Sequence, residues 1–394
     1  MPTTTIVIKR QIACPAAGVF RALVNSTGLR EWFCDSAQTQ PKVDGRIFVG
    51  WNDGTALIGK FTKLVPGKKI EIDIRANEGD TDRSHVVITL SERNGKTNVT
   101  LSDSSDGKDW LKISHAVEQG WNDGLDNLKS VLETGEDLRI TQKPMLGIDM
   151  AAANDDGSRR SQGVLLNGVI VGMGAQLAGL QKGDVILGIA GEKTPDFAAL
   201  DQTLKMHKAG ETVSVVFERT GHRQKTALTL SSRPMPELPQ TADGLAHAIQ
   251  TLYARNDKAL KQLLKGVSEV RASNAPAIGE WNAKQILAHL IQGERYTHWW
   301  VGTLIASQEG VQDDWEGNLD VRIAATVAAY GTLKALLAEL AAARRETVAL
   351  LRNLPVTFVA RKGSFARVST NMLTGWGTHG EEHLEQIRVA IGAI

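Results

Sequence analysis

Four long segments, at about 241 to 265, 282 to 307, 320 to 352 and 370 to 392, carry apolar residues at steps of three and four. Leu245, Ile249, Leu252 and Tyr253 form one such stripe, and Leu333, Leu336, Leu337 and Leu340 another. A helix with one apolar stripe is stable in water only when the stripe is buried, and four in succession bury each other most simply as a bundle. Residues 240–394 are therefore expected to form an all-α up-down four-helix bundle, with loops long enough for a crossover connection.

The chain before this region follows other periods. IVIKRQI, just after Thr5, alternates as a strand, PAAGVFRALVNSTGLREWF predicts one or two short helices, and GRIFVGW, IEIDIRA, HVVITLS and TNVTLSD predict further strands. VDG, WNDG, RNGK and SDGK mark turns between them. Val117, Trp121, Leu125, Leu128 and Leu132 then form one stripe on a long closing helix. An antiparallel sheet curled around a last long helix is a helix-grip arrangement. Residues 1–140, through LREWF and the helix GWNDGLDNLKSVLE, resemble the SRPBCC (START-like) superfamily, in particular its bacterial heat-shock-protein ATPase activator homologue type. The resemblance implies a cavity for an apolar small molecule, lined by Trp32, Phe33, Trp51 and Trp121, with Trp110 nearby; the alternative for each is an ordinary core aromatic. Nothing in the chain resembles the separate chaperone-stimulating domain of the eukaryotic activators.

The pattern breaks between Gly135 and Pro144. KPMLGIDM, AGLQKGDVILGIAGEKTPDFAALDQTL and GETVSVVFERTGHRQKTALTL then supply, in order, an LG(I) loop, a turn, a short helix and two strands. Residues 143–233 thereby resemble a β-barrel-like PDZ domain of the bacterial protease-associated type. The resemblance implies capture of a peptide or protein C-terminus as an added strand. The loop at Leu146, Gly147 and Ile148 would hold the carboxylate, and Leu200 and Leu204 would line the pocket for the last side chain. The alternative is a PDZ-shaped spacer that binds nothing. Two nearby motifs are decoys: VGMGAQLAG has Leu177 where a dinucleotide fingerprint needs glycine, and DSSDGKD, from Asp103, lacks the acidic spacing of an EF-hand loop.

Histidines carry the chemistry of the last region. His379 and His383, four apart in THGEEHLEQI, share one helix face. A metal site in a bundle needs a further ligand from another helix, and WNAKQILAHL offers His289. Here the segment resembles the DinB-like (YfiT-like) superfamily, whose metal-binding members carry one histidine in such a stretch and two as HxxxH near the end. The resemblance implies His289, His379 and His383 as ligands of a divalent transition metal, zinc or nickel, with a fourth position open. Glu382, Gln386 and Gly375 are expected near the His379/His383 face, and Gln285, Gln292, Gly293 and Tyr296 near that of His289. HGEEH also fits the inverted zinc-peptidase motif, but the chain continues for only eleven residues after His383, too few for its downstream acidic ligand.

With 394 residues, three domains and a multidomain α+β class are expected. Lys and Arg number 45 against 44 Asp and Glu, with no dense basic stripe, which argues against nucleic acid. No apolar run approaches the ~20 residues of a membrane span, and MPTTTIVIKRQIACP lacks the regions of a signal peptide. Cys14 and Cys34, outside CxxC spacing, fit reduced thiols of a cytoplasmic protein. Two function classes follow. One is a binding or adaptor protein with a cavity, a peptide groove and a metal site. The other is an enzyme, a metal-dependent transferase or isomerase using a low-molecular-weight thiol, as the DinB-like resemblance implies; no catalytic residue apart from the ligands is assigned.

Overall fold

The computed structural model describes residues 4–76, 83–105, 107, 110–150, 163–310 and 319–392. They fall into two compact units, one formed by Met1–Glu136 with Pro236–Ile394 and the other by Asp137–Met235.

The first segment opens with β1 (Thr4–Ile12), α1 (Ala16–Val24) and α2 (Ser26–Trp32). It continues through β2 (Ser36–Thr39), β3 (Arg46–Gly50), β4 (Ala56–Val65), β5 (Lys69–Arg75), β6 (Ser84–Arg93) and β7 (Lys96–Ser105) to the long α3 (Trp110–Thr134). The seven strands form one antiparallel sheet in the order β1-β7-β6-β5-β4-β3-β2. Alternation explains β7, where Thr97, Val99, Leu101 and Asp103 all turn inward. β4 is harder to see in the sequence: a register shift between Phe61 and Lys63 interrupts the alternation, and Phe61 is the one residue of that strand buried completely. Leu125 and Leu128 of α3 are fully buried in the same core as Phe61, Ile70 and Leu101, so the sheet does grip its last helix. The turn expected at DSSDGKD lies partly outside the described residues, at 106, 108 and 109.

The second unit holds α4 (Leu138–Thr141), β8 (Ile148–Met150), β9 (Val164–Val169), α5 (Gly174–Leu177), β10 (Val185–Ile189), β11 (Glu192–Lys193), α6 (Phe197–Leu204), β12 (Thr212–Arg219) and β13 (His222–Thr229). Its sheet runs β13-β12-β10-β9-β8, which leaves β8 at one end, and β11 pairs with β10. Leu166, Ile186, Ile189, Val215 and Leu228 make the core. The sequence VGMGAQLAG spans the short α5 and not a βαβ crossover, as its missing glycine requires.

The helical region comprises α7 (Ala242–Leu263), α8 (Glu269–Ser273), α9 (Ala283–Ile305), α10 (Leu319–Tyr330), α11 (Leu333–Arg352), α12 (Val356–Val359), α13 (Lys362–Thr370), a π segment (Asn371–Gly375) and α14 (Trp376–Ala390). α11 and α14 each pack against both α7 and α9, which is the four-helix arrangement expected. Two boundaries differ from expectation. The segment 320–352 is two helices bent by 113°. Gly331, at a φ of 69°, ends α10 in the left-handed region, and the Thr332 hydroxyl caps α11 by accepting from the Ala335 N–H. The last long helix begins at Lys362, not 370, and runs through the π segment into α14. Among the described residues, no single helix is long and apolar enough to cross a membrane; α10 and α11 taken together pass by length and composition, across that bend.

Polar bonds join the first segment to the helical region. Ser364 donates to the buried Glu31 carboxylate, which Arg21 also pairs at 2.8 Å. Asn25 Nδ2 donates to the Ser307 carbonyl at 2.9 Å, and the Glu309 N–H donates to Thr27 Oγ1 at 3.2 Å. These bonds are buried or half-buried, so they hold a fixed geometry as well as adding stability.

Candidate metal centre

Local sequence fixes the first histidine. Asn282 and Gln285 form a reciprocal capping box, each side chain accepting from the other's backbone N–H at 3.0 Å, and α9 starts there. His289 follows two turns later. Gln285 is thus committed to the cap, and Gln292 donates to Thr326 Oγ1 at 2.6 Å, tying α9 to α10. The second pair comes from α14, just after the π segment. An extra residue in one turn rotates everything beyond it, and such bulges occur often at functional sites.

The three rings converge. His379 Nε2 stands 3.1 Å from His289 Nε2 and 3.0 Å from His383 Nε2. One ligand nitrogen from each lies within 4.8 Å of the others. For metal–imidazole bonds of about 2.0–2.1 Å at tetrahedral angles, ligand nitrogens stand roughly 3.3 Å apart. The observed spacing is close to that.

Tautomers agree with the geometry. His383 Nδ1 lies 2.8 Å from Gln386 Oε1, an acceptor, so Nδ1 carries the hydrogen and Nε2 presents its lone pair to the cluster. Burial, with His383 and His379 nearby, pushes His289 down to about 4. Burial also lowers His379 and His383, the Gln386 bond and the Glu382 charge acting in the opposite direction on His383. All three are then neutral imidazoles, the form that ligates. His289 Nδ1 is buried without a hydrogen-bond partner among the described residues, beside the Trp281 ring at 5.0 Å. His289 Nε2 faces the Nε2 of His379, and an ion bound there would replace that contact between like nitrogens, with the imidazole hydrogen then on Nδ1.

Of the flanking residues, Gln386 therefore touches a histidine. Glu382 is exposed, and its charge acts to raise His379 and His383. A cavity of about 500 Å³ opens beside the cluster, with Tyr296, Gly375 and His379 in its wall. It also takes in Arg30, Glu309 and Arg367, from three separate stretches of chain. No spacing rule in the sequence could have joined these three.

The other expected sites are placed as follows. In the second unit the Leu146 carbonyl accepts from the Ala175 N–H and the Gly147 carbonyl from the Ile170 N–H, both at 2.8 Å. A trans peptide sets each N–H opposite its carbonyl, so the N–H groups of Gly147 and Ile148 turn to the other side of the loop. Gly147 has a φ of 79°, and a Cβ there would meet Met173 at 2.3 Å, so this turn requires glycine. Leu204 is half-buried, whereas Leu200 is fully buried in the core. In the first segment Phe33 stacks on Trp121 at 5.4 Å and meets Trp51 edge-on at 5.2 Å, with Trp32 4.8 Å away. Trp32 is completely buried and donates to the Ala22 carbonyl, while Trp51 donates to the Phe33 carbonyl and Trp121 to Asp103. These four rings pack on one another.

Comparison with known proteins gives three family matches. Residues 13–133 match the activator of Hsp90 ATPase homolog 1-like proteins, 144–230 the PDZ domain and 252–387 the DinB superfamily. A curated relative, the serine protease Do-like HtrA of Lactobacillus helveticus, is 28% identical over 162 residues, which is 39% of this chain and 38% of that protein. The chain thus spans well under half the length of this relative. Among solved structures, the Aha1 dimer from Colwellia psychrerythraea is 22% identical, with a TM-score of 0.30, over 34% of this chain and 98% of that one. An HSP90 activator from Plasmodium falciparum is 19% identical, with a TM-score of 0.29, over 32% and 95%. In order along its length, the chain therefore combines a segment resembling the Hsp90-ATPase-activator homologues, a PDZ segment and a DinB-superfamily segment.

Proposed function

We propose that this chain is a cytoplasmic binding protein in which a PDZ groove tethers a peptide or protein C-terminus, the helix-grip segment binds an apolar small molecule, and His289, His379 and His383 hold one zinc or nickel ion. The observation that carries the proposal is the convergence of three Nε2 atoms from two helices, with one ring's tautomer set by Gln386. For the peptide groove, support comes from the outward N–H groups of Gly147 and Ile148 and the position of β8 at the end of its sheet. Ile148 and Leu204, both half-buried, would then flank the last side chain, with Leu200 beneath them in the core. Fluorescence anisotropy of the full chain with labelled peptides ending in valine tests this mode. A free C-terminal carboxylate should bind, and amidation should weaken binding by about tenfold or more. Equal affinity for the two forms would refute it.

A second reading, a metal-dependent transferase or isomerase, is favoured by one observation: the cavity of about 500 Å³ reaches His379. An ion in the triad, when bound, supplies the acidity that turns a low-molecular-weight thiol into a thiolate at neutral pH. The chain's own part is to hold that ion on neutral imidazoles and to enclose the co-substrate. Turnover of a common bacterial thiol by the zinc- or nickel-loaded full chain, lost in His383→Ala, would favour this reading over a pure adaptor.

A further inference from the structure

Both helices that carry the triad are anchored, at the ends remote from the histidines, on α2 of the first segment. α9 holds His289 near its start and ends at Ile305 with Ala306 as its cap; the next residue, Ser307, takes the left-handed region at a φ of 54°. A residue other than glycine is strained there and keeps that conformation only where its surroundings hold it. Asn25, the N-cap of α2, donates from Nδ2 to the Ser307 carbonyl at 2.9 Å, and Arg361 Nη1 donates to Ser307 Oγ at 2.9 Å. Arg361 is itself the residue on which α13 starts. Just beyond it, Ser364 donates to Glu31 of α2, and Gly363 lies so near α3 that a Cβ would meet Val131 Cγ1 at 2.5 Å. From α13 the backbone stays helical through the π segment into α14, since the junction residues Asn371 and Gly375 keep right-handed helical torsions. Ser364 and His379 therefore lie on one helix, roughly 22 Å apart along its axis. Between them and just after, Gly375, Gly377 and Gly380 are poor helix formers, so propensity does little to fix the rotation of the histidines. The two ends of the helix must fix it, Ser364 at the seam and Ile387 in the bundle core.

We propose that α2 and its cap are a positioning element of the metal centre: Asn25 and Glu31 fix the ends of both histidine-bearing helices, so that metal binding and closure of the seam stabilise each other. With the seam closed, His379 and His383 face His289. With it open, the helix that carries them loses one of its two anchors, and the ion loses its geometry. Such a coupling is reciprocal, so an ion on the triad holds the seam shut by the same factor as the closed seam favours the ion. The helix-grip segment then has a role at the bundle's site that no sequence period shows. The inference rests on the reading of the triad as a metal centre, and the test separates the two.

The test uses the full chain. Zinc affinity is read by competition against a chromophoric chelator, and seam closure by hydrogen exchange at the Glu309 amide, which donates across the seam to Thr27 Oγ1 at 3.2 Å. Asn25→Asp keeps the acceptor that caps α2 but removes the donor to Ser307, and Gly363→Ala raises helix propensity while wedging α13 off α3. Each should weaken zinc by about five- to tenfold. Adding Val131→Ala to Gly363→Ala removes the atom that the new Cβ meets and should recover part of the loss, which a damaged fold would not do. In the parent, zinc should slow Glu309 exchange by at least about fivefold, and in His383→Ala it should not. That arm needs no seam variant and so does not depend on how one folds. Parent-like zinc affinity in either seam variant, no recovery in the double variant, or Glu309 exchange unchanged by zinc would overturn the proposal while leaving the metal reading in place. A parent chain that takes up no zinc would overturn both.

Discussion

Alanine at any one of His289, His379 and His383 is expected to strip the chain of its divalent ion. Tag-free protein incubated with zinc or nickel and then desalted should carry close to one ion per chain, and each variant should carry almost none. With three Nε2 atoms within reach of one point, no ligand is redundant. Removing one leaves two imidazoles, and the loss should exceed the roughly 10–100-fold that follows when only a supporting hydrogen bond is removed. Gln386→Leu tests that lesser effect, because Gln386 orients His383 through Nδ1 without touching the ion. His298→Ala should keep the metal, since His298 Nε2 is engaged with Thr347 at 2.7 Å, elsewhere on α9. Full metal retention by one triad variant would remove that residue from the site; retention by all three would dismiss the cluster as a metal centre.

The triad was legible in the sequence because both of its determinants are local. The i, i+4 pair on one helix and a lone histidine on another apolar-striped helix need only the bundle to bring them together. Gln386, one turn after His383, was legible for the same reason. Glu382 was not: its position along the helix put it near the histidine face, but it lies at the solvent edge of α14. The break at Gly331–Thr332 had a signal, a glycine followed by a capping threonine, that was outweighed by the continuous apolar spacing on either side. Arg30, Glu309 and Arg367 had none. They come from α2, a loop and α13, and only the seam at Glu31 and Ser364 brings those elements together. Tertiary contact between remote segments is encoded by no period in the sequence.

Arg219→Met is expected to loosen the second unit more than any exposed substitution there. Asp184 sits in the AGLQKGD turn with its side chain 1% exposed, between Arg219 Nε at 2.7 Å, Arg219 Nη2 at 2.7 Å and the Gln181 N–H at 2.8 Å. Burial pushes its carboxyl upward, but these bonds outweigh burial and hold it below its ordinary value. A carboxylate lowered in the folded state contributes stability above its unfolded pKa, about 3.9, and that contribution is lost as pH falls through the folded value. Without Arg219 the burial remains and its main compensation is gone, so the shift should reverse and the unit should weaken as pH rises into the neutral range. Hydrogen exchange of β10 and β12 in the full chain reads this directly, because Val185 and Glu218 pair in the register between the two residues. Protection should fall by roughly 10–100-fold at neutral pH. Adding Asp184→Asn to Arg219→Met removes the stranded charge while keeping an acceptor for Gln181, and protection should partly return. If the double variant exchanged as fast as the single one, the stranded carboxylate would not be the cause, and the lost bond from Arg219 to the Gly179 carbonyl, 2.8 Å in the structure, would have to carry the effect instead.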